Sequence, residues 1–548
     1  MNRYREIAVI LSKNGFGYIL DDIGLFHMLS LPKRVAADFK KPEHSSIGPK
    51  LRKTLEELGP TFIKLGQILS TRRDIFPVPI IKELEKLQDD VNPFPFEESK
   101  AIIEEQLEAP LDSLFDDFGE EPAASASIGQ VHLALLKDGT KVAVKVRRPD
   151  IVRQVGVDLS IMKELGRLLE QQFDWARYYR VRDIIDEFSR SIKDELDYTL
   201  EAHHTEKVAN QFKDNENIVI PSIYWDYSTE AVLVQEFIKG EKLGTVEGLS
   251  DEKREALADS LVNCFFEQIF IHGFFHADPH PGNVFYLPEG KLALIDFGQV
   301  GRLTKTMRYQ FSSLVIAMLK QDPEAIMETF MDMSLVDSDV DENRLRSDIE
   351  LLNQKYFDMK LSEISIGDAV NDLFMAAQRN NIIIPVEYTI LGKAVLTVES
   401  LAEELNPDLS ILKLAEPYGK RLVKERYNPR RVGEQVWDDL KEWGELLQTL
   451  PKQTRDLLSK TNKDKLRINI SLPETQQLLF KLDRISNRIS FSITLLAFSI
   501  IVVGLIIGST FGNSSSILTE VPAIEIGFVI SFLMFLWLIY SILKSGKF

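Results

Sequence analysis

The reading of the chain turns on "HADPHPGNVF", residues 276–285, and on "LIDFGQ", residues 294–299, which follows after eight further residues. The first stretch sets Asp278 five positions ahead of Asn283. The second brings Asp296 thirteen positions beyond Asn283 and follows it with Phe297 and Gly298. Two carboxylates and a carboxamide are hard oxygen donors of the type Mg²⁺ accepts. A further Asp beside such a site is placed to meet a substrate oxygen. His276 and His280 are four apart, but Pro279 and Pro281 prevent a regular helix there, so they do not form a helical zinc pair.

Upstream, "GQVHLALLKDGTKVAVKVRRP" holds two apolar-rich runs joined by Asp138-Gly139, a hairpin signal. Within it "VAVK" puts Val142, Val144 and Val146 on one face of a strand and turns Lys145 to the other. Phosphoryl transfer needs a lysine on the nucleotide phosphates, a carboxylate to orient that lysine, and metal ligands. Lys145, Asp278, Asn283 and Asp296 occur in the chain order that protein kinases use. The usual His-Arg-Asp is missing, however, and so is any G-x-G-x-x-G. "AVLVQEFIKG", residues 231–240, reads as a short buried strand, with Glu236 and Ile238 as candidate nucleotide-binding positions at its end.

The surroundings divide accordingly. Residues 1–112 carry helical spacing, as in "LRKTLEELGPTFIKLGQILS". Residues 113–240 hold the strand signals, together with a helical stretch over 157–212. From 241 to 430 the pattern is mainly helical, with a helix over 250–272 and a strand "KLALIDFGQV" that ends near Asp296. Strands first and helices later predict an α+β fold of two lobes in the protein-kinase manner. Residues 431–488 read as a solvated helical linker.

Composition limits the function. The chain has 548 residues, 44% of them hydrophobic, which is enough for two to four domains. A net charge of -18 leaves no surplus of cations for phosphate backbones and argues against nucleic-acid binding. Cys264 is the single cysteine, so there is no intrachain disulfide, in keeping with a reducing compartment. The N-terminal stretch shows no signal-peptide pattern.

The C-terminal stretch is different in kind. "ISFSITLLAFSIIVVGLIIG", residues 489–508, is free of formal charge, and "IEIGFVISFLMFLWLIYSIL", residues 524–543, has only Glu525 near its start. Each is long enough, at roughly 30 Å as a helix, to cross a bilayer core. Lys481, Arg484 and Arg488 precede the pair, Lys544 and Lys547 follow it, and the stretch between holds no Lys or Arg. That asymmetry predicts a two-helix transmembrane hairpin over 489–543 in the inner or cytoplasmic membrane. Both ends and the catalytic part would face the cytoplasm. Gly504 and Gly508 offer a close-packing face for the two helices or for a second copy in a homodimer.

Five phrases in order resemble the UbiB-like atypical kinases, a group linked to ubiquinone and other isoprenoid lipids. They are "FIKLGQILSTR" with its K-x-G-Q at Lys64, Gly66 and Gln67; "AASASIGQVH"; "ELDYTLEA"; "HADPHPGN"; and "DFG". The resemblance spans about residues 45–310 and departs from the family at Arg73 and His204, neither of which is expected to touch the chemistry. It implies that Asp278 and Lys145 are catalytic, with Glu201 the partner of Lys145, and that Asn283 and Asp296 hold Mg²⁺. It also implies an Ala-rich nucleotide loop, Ala123, Ala124, Ser125, Ala126 and Ser127, in place of glycines. The Cβ atoms there crowd close approach of backbone to phosphate, while Ser125 or Ser127 could donate from a hydroxyl.

The same resemblance implies that the helix bearing Lys64 and Gln67 covers the active site where a protein substrate would dock. Lys64 then needs a carboxylate. Glu195 and Asp197, two apart on a helix and so diverging, are the candidates. The expected activity is an Mg²⁺-dependent kinase or ATPase that takes ATP or ADP near membrane isoprenoid lipids or quinone precursors, in reach of quinone-biosynthesis enzymes. A conventional protein kinase and a nucleotide-sensing scaffold are the alternatives.

Overall fold

The computed structural model describes residues 2–22, 47–73, 75–87, 92–246, 248–333, 342–357, 365–380 and 382–426, with single positions at 500, 529, 532 and 533. The expected linker over 431–488 lies outside the described residues, and so does the expected hairpin over 489–543 apart from those four positions. Among the described residues no helix is long and apolar enough to cross a membrane.

The chain opens with helices α1 (Asn2–Lys13), α2 (Ile47–Leu58), α3 (Pro60–Ser70), α4 (Val78–Leu84) and α5 (Phe96–Leu107). Gly59, at φ +96°, turns the chain between α2 and α3, and Pro60 then starts α3, where its missing N–H costs nothing. The K-x-G-Q helix is therefore α3. Gly66 lies where α3 meets its neighbours: a Cβ there would fall 2.2 Å from Leu87 and 2.7 Å from Leu55. Leu55, Leu58, Phe62, Leu84 and Leu87 share one apolar cluster with Ile151, Val155, Phe188 and Ile192 from later in the chain. The N-terminal helices are thus built onto the first lobe.

That lobe holds β1 (Phe115–Phe118), β2 (Ala124–Ser125), β3 (Gly129–Leu136), β4 (Lys141–Arg147), α6 (Ile151–Gln172), α7 (Val181–Glu195), α8 (Tyr198–Gln211) and β6 (Val232–Glu236), while β5 (Ile218–Val219), which precedes β6 in the chain, pairs in the sheet of the second half. Its antiparallel sheet runs β1-β3-β4-β6, with β2 added on β3. The β3–β4 hairpin turns at Gly139, φ +85°, with the Thr140 N–H donating to the Asp138 carboxylate at 2.9 Å. Val142, Val144 and Val146 are fully buried on one face of β4. Lys145 stands opposite them, between Val131 of β3 and Leu233 of β6 in register.

The second half holds β7 (Glu241–Lys242), α9 (Asp251–Phe266), β8 (Phe274–His276), β9 (Val284–Tyr286), β10 (Leu292–Leu294), β11 (Val300–Arg302), α10 (Lys305–Leu319), α11 (Pro323–Met333), α12 (Glu342–Phe357), α13 (Ile366–Arg379), α14 (Val386–Leu405) and α15 (Ile411–Arg426). One apolar core joins Phe265, Phe270 and Phe297 to Leu391, Val395 and Leu412. Two expectations are corrected here. The helix over 250–272 gives way at Glu267 to a wider π turn, stopped by Gly273 at φ +62°. The strand over 291–300 is only Leu292–Leu294, one of four three-residue strands that pair across the region. Such short pieces exist through pairing with distant partners, so they leave almost no periodic signal in the chain.

Candidate active site

The site starts from Lys145 on β4. Its ammonium donates to both carboxylate oxygens of Glu201, at 3.0 and 2.8 Å, and lies 3.7 Å from Asp296 Oδ2. Local sequence explains why Glu201 is there. Asp197 is the N-cap of α8 and accepts from the Thr199 N–H at 3.0 Å, so the helix begins at Tyr198 and points Glu201, one turn in, at the strand. The Tyr198 ring lies under Lys145, with Nζ 5.2 Å from its centre. Burial pushes the Glu201 carboxyl up to about 7 against the pull of Lys145. Burial also works against the Lys145 charge, but Asp296 and Glu201 more than offset it and hold the ammonium well above the ordinary lysine value.

The loop between β8 and β9 carries the rest. The Asn283 N–H donates to His280 O at 2.8 Å, and its side-chain amide donates to Asp278 O at 3.2 Å. The Ile295 N–H donates to Asn283 O at 3.0 Å, which seats Asp296 beside Asn283. Asp296 adopts φ +60°, a left-handed backbone that costs energy for a non-glycine residue, and its Oδ1 accepts from the Gly298 N–H at 3.2 Å. Partial burial alone would raise the Asp296 carboxyl. The Lys145 ammonium and the Gly298 N–H outweigh it and hold the group below the usual carboxylate value. Asp278 Oδ1 accepts from the Lys393 ammonium of α14 at 2.8 Å, and that charge likewise overcomes burial and lowers Asp278.

The helix α3 is tied down by a buried ion pair whose lysine acts electrostatically on Asp296. Lys64 Nζ lies 2.5 Å from Glu195 Oε1, with side chains 8% and 14% exposed.

Residues 86–330 match the ABC1 atypical kinase-like domain, residues 349–410 the UbiB helical domain and residues 473–544 the ABC1/UbiB kinase-like C-terminal domain. A Clostridium pasteurianum protein, described as an uncharacterized protein in the hydrogenase 1 5' region, is 32% identical over 550 residues, or 99% of each chain. A probable protein kinase UbiB from Pseudomonas putida is 36% identical over 444 residues, 80% of this chain and 81% of its own. One of the same description from Marinobacter nauticus is 35% identical over 451 residues, 80% of this chain and 82% of its own. This chain belongs to the UbiB-like atypical kinase family. It is a kinase-like protein of mixed helix and sheet.

Among the residues singled out from sequence, this UbiB-like chain brings Lys145, Glu201 and Asp296 into one cluster and sets Asp296 beside Asn283. Asp278 joins them through Asn283. Lys64 meets Glu195, and the premise that Glu195 and Asp197 share a helix is corrected. Glu195 ends α7 and Asp197 caps α8, so the chain turns between them. Gln67 does not share the Lys64 contact. Its side-chain amide donates to Leu87 O at 3.3 Å, toward the N-terminal helices.

The Ala-rich loop is drawn into the β2–β3 pairing. Ala123 N–H donates to Val131 O and Ala126 N–H to Gly129 O, each at 2.8 Å, so those two donors are spent inside the β2–β3 hairpin. The Ser125 hydroxyl accepts from Arg148 at 3.4 Å, Ala124 is exposed, and the Ser127 hydroxyl is buried with no partner among the described residues. Glu236 closes β6 with its carboxylate accepting from the Ser222 N–H at 3.2 Å, and Ile238 follows it, half-buried, where the chain crosses toward β7.

Two residues were missed. His204 was placed outside the chemistry, yet its Nδ1 lies 3.2 Å from Phe297 O and its Nε2 accepts from Arg302 at 3.1 Å, so it steadies the Asp296-Phe297-Gly298 backbone from α8. Lys393 gave no local signal, since it lies 115 positions from Asp278 on a helix whose pattern reads as core. Arg73 clasps Asn371 at 2.7 Å and Glu85 at 2.8 Å, which links the segment after α3 to α13.

Proposed function

We propose that this chain is a membrane-anchored atypical kinase or ATPase that binds ATP or ADP with Mg²⁺ and supports the synthesis of ubiquinone or another isoprenoid quinone or lipid. The observation that carries the reading is the Lys145–Glu201 ion pair with Asp296 at 3.7 Å beside it. An ammonium held by one carboxylate and flanked by a second is suited to grip nucleotide phosphates. Asn283 and Asp296 would hold the Mg²⁺. The Asn283 amide nitrogen is spent on Asp278 O, which leaves its hard oxygen for a cation, and Asp296 supplies another. When bound, the ion would supply neutralising charge on the phosphates.

The chain's own residues then do the following. Lys145 binds phosphate oxygens and Glu201 orients Lys145. Asp278, ionised, takes the proton of the attacking hydroxyl or water. The new bond joins that oxygen to the terminal phosphorus, the bond from phosphorus to the bridging oxygen breaks, and the electron pair leaves on the nucleotide. The Lys64–Glu195 tether over this face supports a small or lipid acceptor over a polypeptide. The relatives' description as probable protein kinases favours the second reading, a polypeptide acceptor. We place the anchor at 489–508 and 524–543, inside the matched C-terminal domain, with self-association through Gly504 and Gly508.

The test uses the full chain in liposomes. Mg²⁺-dependent nucleotide binding and turnover are expected, lost in Asp296→Asn, with labelled phosphate passing to isoprenoid head-group analogues and not to polypeptides. Unchanged binding and turnover in Asp296→Asn would overturn the site. Labelled polypeptide would establish the second reading, and protease cleavage within 509–521 from the cytoplasmic side would reverse the topology.

A further inference from the structure

We propose that Lys393 is a catalytic residue: the cation that meets the transferred phosphoryl group is delivered by α14, from outside the catalytic loop. The inference rests on the kinase reading above and extends it to a residue that no motif contains.

The catalytic loop itself lacks such a charge. Between Asp278 and Asn283 stand Pro279, His280, Pro281 and Gly282. The one titratable side chain among them, His280, turns back on its own loop and accepts from the Gly282 N–H at 3.0 Å. The other lysines of the site are engaged elsewhere, Lys145 with Glu201 and Asp296, and Lys64 with Glu195. Lys393 stands 2.8 Å from Asp278 Oδ1, the carboxylate placed to take the acceptor's proton. An ammonium has three N–H donors, so after the bond to Asp278 it still has donors for a phosphoryl oxygen.

Exposure and rigidity support the same role. The Lys393 and Asp278 side chains are 36% and 31% exposed, so the pair lies where an incoming acceptor and phosphate can reach it. A purely structural ion pair of that exposure contributes little to stability. The backbone beneath it is fixed. Leu391, Ala394 and Val395 are buried in the core, and a Cβ on Gly392 would fall 2.9 Å from the Phe374 ring. A cation held by a rigid helix costs no reorganisation when charge develops on the phosphoryl oxygens. In the transfer, the acceptor oxygen bonds to phosphorus, the bond to the bridging oxygen breaks onto the nucleotide, and the proton goes to Asp278. Lys393 keeps its protons and lies against the oxygens of the moving group.

The experiment compares the full-length parent with Lys393→Met, Lys393→Arg and Lys393→Ala. Removing one preorganised donor of this kind costs about 100- to 1000-fold in kcat. We expect that loss in Lys393→Met with Mg²⁺-nucleotide affinity and melting temperature as in the parent. Lys393→Arg should keep most of the turnover, and propylamine should restore part of it to Lys393→Ala. Parent-like kcat in Lys393→Met, beside an active parent, overturns the inference and leaves the kinase reading standing. A Lys393→Met chain that melts early and loses nucleotide makes Lys393 a structural strut and overturns it too. A parent with no turnover and no phosphate transfer removes the kinase reading and the inference together.

Discussion

Replacing Lys64 by Met tests whether α3 is held in place by charge or by apolar packing alone. Lys64 and Glu195 form their ion pair at 2.5 Å with little exposure on either side. Deleting one partner of such a pair costs about 3–5 kcal/mol, because the remaining carboxylate is stranded away from water. Replacing both partners by apolar side chains of similar volume recovers most of that cost. The apolar contacts around Phe62 and Gly66 are untouched by the change, so the loss should appear as local opening of α3 and not as global unfolding. At about 1.4 kcal/mol per tenfold, 3–5 kcal/mol is roughly two to three and a half orders of magnitude in opening equilibrium. Amide hydrogen exchange over residues 60–70, read by mass spectrometry, should accelerate by that factor in Lys64→Met. The double variant Lys64→Met/Glu195→Leu should return most of the protection. Parent-like exchange in the single variant would refute the argument, and so would a double variant as open as the single.

Gly129→Ala should destabilise the first lobe by about 1–3 kcal/mol through overpacking, because the new Cβ would fall 2.2 Å from the Tyr198 hydroxyl and 2.6 Å from Val146 O. Nucleotide affinity should fall with it, since the Tyr198 ring lies under Lys145. Adding Tyr198→Phe should restore part of both, as that hydroxyl has no hydrogen-bond partner among the described residues, and equal melting of parent and Gly129→Ala would count against this packing. The share of stability that comes from two buried histidines should fall on acidification, while the raised Glu201 carboxyl acts in the opposite sense. Burial holds His276 and His132 below their ordinary value of 6.5. The unfolded chain therefore takes up protons near that value while the folded chain resists, so this stability is present above 6.5 and declines below it. The denaturant midpoint of His132→Gln should depend less on pH in that histidine sense than the parent's between about pH 7.5 and about pH 5.5, and equal pH dependence would contradict it.

The sequence by itself determined the features that are local or periodic. Alternating valines placed Lys145 on the open face of β4, and Asp138-Gly139 set the hairpin, because strand pleat and turn chemistry act over a few residues. The order and spacing of Asp278, Asn283 and Asp296 were legible for the same reason, and the family resemblance singled out Glu201 as the partner of Lys145. Tertiary structure decided the rest. That Lys64 meets Glu195 depends on where α7 stops and α8 is capped, a break two residues wide, Leu196 and Asp197, that two adjoining helical patterns conceal. The withdrawal of the Ala123 and Ala126 donors into a hairpin depends on how β2 lies on β3. The service of His204 to the Phe297 carbonyl depends on α8 crossing a strand end 93 positions later in the chain. Lys393 reaches Asp278 only because the core under α14 brings that helix against the catalytic loop. An ion pair between residues so far apart is specified by the packing of whole elements, and no window of the sequence contains both partners.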